Sequence, residues 1–97
     1  MRTRAKVDAN QVDVVAALRA IGCTVVSLAA VGRGVPDLLV GRQGRTYLLE
    51  VKDGRKPPSA RQLTDEQLTW HGAWKGGTLA VVCDVESAIR AVSLGFP

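Results

Sequence analysis

Three residues of this 97-residue chain have types and spacing that suit chemistry: Asp37, Glu50 and Lys52. Asp37 opens the apolar run after Gly34-Val-Pro, and Glu50 and Lys52 close the run Tyr47-Leu-Leu-Glu-Val-Lys. Alternate side chains of a strand share a face, so Glu50 and Lys52 point one way while Leu49 and Val51 point into a core. A hairpin turning near residues 43–44 sets Asp37 beside about Glu50. Two carboxylates held together repel unless a cation sits between them. Oxygen ligands of this kind suit magnesium or manganese. Such an ion polarises a phosphodiester and supplies hydroxide, and a nearby ammonium orients water or offsets developing negative charge. The spacing alone leaves a plainer reading open: Glu50–Lys52 as a surface ion pair on an edge strand, with Asp37 a turn residue after proline.

The elements that must position these groups are legible from pattern. A helix is expected from about Asn10 to Ile21, with Asn10 as N-cap, Gly22 just past the end, and Val14, Leu18 and Ile21 as its apolar face. Gln11 shares that face, roughly 20° from Leu18, whereas Asp13 turns outward. Strands are expected over Cys23–Ala30, from Asp37 to Val40, and over Thr46–Lys52, with a turn from Gly41 to Arg45. Asp53–Ala60 reads as a polar, basic loop. Thr64 caps a helix, TDEQLTWHGAW, that stops at Gly76-Gly77. Thr78–Cys83 reads as a buried strand, and Asp84 caps a last helix over Val85–Val92. The order is α-β-β-β-α-β-α, a single α/β domain with a mixed four-stranded sheet and a right-handed crossover.

Composition narrows the class. Thirteen Lys and Arg against nine Asp and Glu give a net charge of +4, which suits a polyanionic partner. Nine of the basic residues are Arg, the residue that forks onto phosphates. No apolar run is long enough to span a membrane. The opening MRTRAKVDANQ lacks the apolar stretch of a secretory signal, and residues 1–9 read as a basic arm. Cys23, Cys83 and the single His71 are too few for a zinc site, so the cysteines read as reduced, buried thiols in a cytoplasmic protein.

Pro36-Asp37 and Glu50-Val51-Lys52, in this element order, resemble the PD-(D/E)XK nuclease superfamily, and most of all the small stand-alone VRR-NUC-type proteins of phages and bacteria. The resemblance spans about residues 10–92 and implies a restriction-endonuclease-like αβββαβ core. It implies a metal-dependent endodeoxyribonuclease, with Asp37, Glu50 and the Val51 carbonyl holding Mg2+ or Mn2+ and Lys52 positioning the attacking water. It also implies branched DNA such as Holliday junctions as substrate, a homodimer, and residence in the cytoplasm of a bacterial or phage-infected cell. Related junction resolvases carry Glu in the first helix where this chain has Gln11, which adds no charge. Gln67 falls where family members often have a Gln near the site.

Arg33, Arg55, Lys56 and Arg61 lie in loops bracketing this site and are candidates for phosphate contact. Trp70 and Trp74, at i and i+4, share a helix face; core packing is the first expectation and a dimer interface the next. His71 is expected on the helix surface. Two alternatives to the enzyme remain: a non-catalytic, structure-recognising DNA-binding module on a nuclease fold, and a small interaction protein that uses its tryptophan face.

Overall fold

The computed structural model describes residues 9–94. The expected basic arm lies outside the described residues except for Ala9, which belongs to the first helix. The elements are α1 (Ala9–Ala20), β1 (Thr24–Ser27), β2 (Leu38–Arg42), β3 (Arg45–Val51), a 3-10 turn (Pro58–Arg61), α2 (Asp65–Ala73), β4 (Thr78–Val82) and α3 (Val85–Leu94). The sheet order is β1-β2-β3-β4, antiparallel except for the parallel β3–β4 pair. This is the mixed four-stranded α/β sheet expected from the pattern.

α1 ends on the anticipated glycine. Gly22 has φ +96°, and the N–H groups of Gly22 and Cys23 reach back to the carbonyls of Arg19 and Leu18, the paired bonds of a Schellman cap. Two expectations for this helix fail. Ile21 is 37% exposed, because the chain leaves the helix there for β1 and turns its side chain off the Val14–Leu18 face. Asn10 lies inside the helix, and its side-chain amide donates to the carbonyls of Lys52 (2.8 Å) and Cys83 (3.2 Å). It thereby pins α1 to the ends of the two parallel strands.

β1 stops at Ser27, where a turn closed by Val31 N–H on the Leu28 carbonyl replaces the expected strand end. The β2–β3 turn shrinks to Gln43-Gly44, both at positive φ, which is the two-residue hairpin geometry that matches strand twist. Leu38 pairs with Leu49, so the register continues to Asp37 opposite Glu50 as expected. β4 is an edge strand, with Val81 49% exposed, rather than a buried one.

Leu38, Val40, Tyr47, Leu49, Val51 and Val82 bury one sheet face against Val14 and Leu18 of α1 and Ala88 and Val92 of α3. Tyr47 Oη donates to the Val92 carbonyl at 3.2 Å, which satisfies a buried hydroxyl. Cys23 is buried and Cys83 half-buried, and both are free thiols. α2 buries no residue fully. Trp70 and Trp74 stack at 5.2 Å and 17° outside the core, with Trp74 39% exposed, so core packing does not explain them. α2 is held instead by end contacts. A Cβ on Gly34 would collide with the Glu66 carbonyl oxygen and lie 2.7 Å from its carbon. Only a glycine lets the loop ahead of Asp37 press on the helix this closely.

Candidate active site

The carboxyl-terminal end of β3 and the amino-terminal end of α2 converge on a cleft of about 240 Å³. It is lined by Gln11, Asp37, Glu50, Val51, Lys52, Asp53, Lys56, Ala60 and Gln67. Every residue expected to hold a metal, orient water or support the site therefore meets in one place.

Asp37 Oδ2 accepts the Val51 backbone N–H at 2.7 Å. That bond fixes the carboxylate at the end of β3, on the strand segment that carries Glu50. Glu50 is only 2% exposed and sits on an interior strand, which overturns the surface ion-pair reading. Burial, a hydrogen bond with Asp37 and the charge of Asp37 push its pKa from the ordinary 4.5 up to about 8, against a smaller lowering by Lys52.

Gln67 ties the site to the start of α2. Its Oε1 accepts from Thr64 N–H (2.9 Å) while Thr64 Oγ1 accepts from Gln67 N–H (3.2 Å), a capping box as the Thr64 expectation required. The same Oε1 accepts from Lys52 Nζ at 2.9 Å, and Nε2 donates to Glu50 Oε2 at 3.2 Å. A glutamine thus serves both neighbours, because its amide offers an acceptor to the ammonium and a donor to the carboxylate. The helix cap holds its side chain in place before any ligand arrives.

Sequence reasoning missed two residues here. Asn10 read as a cap but anchors the Lys52 carbonyl. His71 read as a surface residue, yet its side chain is 12% exposed and Nε2 lies 3.6 Å from Glu50 Oε1. Burial first, and Lys52 second, lower its pKa. The signal was available: His71 is four residues after Gln67 and shares its helix face.

The expected phosphate contacts divide. Lys56 lines the cleft. Arg55 lines a different groove, with Asn10, Asp13 and Glu86, and pairs with Asp53, Nε to Oδ1 at 3.1 Å. Arg33 lies across α2, in a separate groove with Trp70, Asp65 and Glu66. Arg61 is half-buried at the end of the 3-10 turn, with its Nε buried and unpartnered. The cleft therefore gathers one of the four candidate cations directly.

The donor set fits a hard divalent cation. Two carboxylates meet where burial first, and Asp37 second, raise the pKa of Glu50, and positive charge between them relieves both burial and repulsion. Among the described residues no group of three His, Cys, Asp or Glu is arranged to hold a metal ion by side chains alone. The remaining ligands would be a carbonyl and water, which suits magnesium or manganese and not zinc.

An α/β domain of this topology, with Asp, Glu and Lys at one strand end, is restriction-endonuclease-like. Among solved structures the chain is similar to a VRR_NUC domain, with TM-score 0.65 and 27% sequence identity over 89% of this chain and 92% of that one. Searches of family models and of curated proteins found no match. The chain has the VRR-NUC form of the PD-(D/E)XK nuclease fold. Among the described residues no helix is long and apolar enough to cross a membrane.

Proposed function

We propose that this domain is a divalent-metal-dependent endonuclease that hydrolyses phosphodiester bonds in DNA. One observation carries the reading: Glu50 is buried beside Asp37, with its pKa pushed up to about 8 at the mouth of a polar cleft. Such a pair is costly in the metal-free protein, and a bound cation offsets both its burial and its repulsion.

Asp37, Glu50 and the Val51 carbonyl would hold Mg2+ or Mn2+. When bound, that ion polarises the scissile phosphate and acidifies water. Lys52, held by Gln67, directs its ammonium to the attacking water and to the charge that develops on phosphate. Gln11 is buried on the cleft wall, where its amide would hydrogen-bond a metal-bound water and adds no charge. Lys56 at the cleft edge takes a neighbouring phosphate.

The finer proposal is structure-selective cutting of branched DNA, such as Holliday junctions, by a homodimer in a bacterial or phage-infected cytoplasm. A symmetric dimer would suit this task, because two equivalent sites would address two strands. The second reading is a non-catalytic DNA-binding module, favoured because, among the described residues, no group of three His, Cys, Asp or Glu is arranged to hold a metal ion. A labelled panel of single-stranded, duplex, flap and four-way-junction DNA, with Mg2+, Mn2+ or EDTA, separates them. The enzyme cuts with metal only, and junctions fastest. Equal rates on all substrates remove the structural selectivity. Junction binding that survives EDTA, with no cutting under any metal, selects the binding module.

A further inference from the structure

Two buried polar atoms face each other across the site without a hydrogen bond. Glu50 Oε1 and His71 Nε2 are both unpartnered, at a separation of 3.6 Å. Buried polar atoms are nearly always bonded. The gap is only about 0.6 Å beyond an ordinary N–H···O contact. The other Glu50 oxygen, Oε2, already accepts from Gln67, one helical turn before His71 on the same face of α2. Trp70 meets the imidazole edge-on, at 6.3 Å and 77°, and so packs the ring in this orientation.

We propose that His71 is a positioning residue for Glu50: its Nε2–H donates to Oε1, so that α2 grips both oxygens of the carboxylate. Gln67 holds one oxygen and His71 the other. Each carboxylate oxygen keeps a second lone pair, so the grip orients Glu50 toward Asp37 without using up its ligand capacity. A neutral imidazole has one N–H, and this role requires the proton on Nε2. The consequence for metal binding rests on the nuclease reading, but the hydrogen bond does not.

The first arm of the test is therefore free of metal and DNA. Imidazole 15N spectra are recorded at several pH values above the ordinary histidine value of about 6.5, where the ring is neutral. The expected result is the Nε2–H tautomer, with an Nε2 resonance that shifts in Glu50→Ala. An Nδ1–H tautomer, or a resonance indifferent to Glu50→Ala, overturns the proposal. The second arm measures the Mg2+ concentration for half-maximal cleavage in variants whose folding is checked by circular dichroism. His71→Leu should raise it roughly ten- to hundredfold, the usual loss when a ligand's outer partner is removed. His71→Gln keeps a donor and should recover most of that loss. An unchanged Mg2+ requirement in His71→Leu also overturns the proposal. If the wild type cuts no DNA, the nuclease reading fails and the spectra alone decide for or against His71.

Discussion

Asp37 and Val51 are joined across the hairpin by a 2.7 Å bond from the Val51 backbone N–H to Asp37 Oδ2. The residue between Glu50 and Lys52 thus fixes the carboxylate that pairs with Glu50. Asp37 is consequently both structural and chemical, and two substitutions separate the roles. Asp37→Asn keeps an oxygen for Val51, so unfolding should shift by less than about 1 kcal/mol while cleavage is lost. Asp37→Ala strands the amide and should cost about 1–3 kcal/mol as well. Denaturant unfolding beside a cleavage assay reads both.

Glu50 makes stability depend on pH. Its folded pKa, about 8, lies above the ordinary 4.5, so its contribution is complete below pH 4.5 and is lost as pH rises through 8. His71 acts in the opposite sense: its lowered pKa removes stability as pH falls below the ordinary 6.5. Among the described groups with shifted pKa, the window from 6.5 to 8 belongs to Glu50. The metal-free protein should lose thermal stability across that window. Glu50→Gln should flatten the profile and be more stable at pH 8, by roughly 1–3 kcal/mol. Saturating Mg2+ should flatten the wild-type profile.

Gln67 allows the helix cap to be separated from the site. Gln67→Glu keeps the Thr64 capping box but replaces the donor to Glu50 with an acceptor. Stability should change by less than about 1 kcal/mol, while turnover falls at least tenfold, roughly the scale set by losing one oriented polar contact. Lys52→Ala should lower kcat more than it raises the Mg2+ requirement. Steady-state kinetics over a range of Mg2+ concentration checks both variants.

Lys56 and Arg55 should differ in DNA binding, although sequence alone groups them. Arg55 is neutralised locally by Asp53, whereas Lys56 lines the cleft. Lys56→Ala should lower the slope of log K against log salt by about 0.9, one phosphate contact, and Arg55→Ala by less. Fluorescence anisotropy at four salt concentrations reads the slopes.

Much of the site was legible because it is written in strand alternation and turn position. Counting from a turn near 43–44 brought Asp37 to Glu50, and the 50/52 alternation brought Lys52 to the same face. Thr64 and Gly22 announced their caps through residue type. What escaped were contacts made between elements. Asn10 has the composition of a cap, and nothing local says that its amide reaches β3 and β4. His71 was hidden by treating α2 as an isolated helix, since its side chain turns toward Glu50 on β3. Val81 misled in the other direction: an apolar strand at a sheet edge has the sequence of a central one.

The central claim is that Asp37 and Glu50 share a divalent cation that drives phosphodiester hydrolysis. Its most direct test is cleavage of labelled DNA by the wild type and Glu50→Gln, side by side in Mg2+ and in EDTA. The account predicts cutting by the wild type in Mg2+ alone, with DNA affinity retained in the variant. Cutting that persists in EDTA, or in Glu50→Gln, would contradict it.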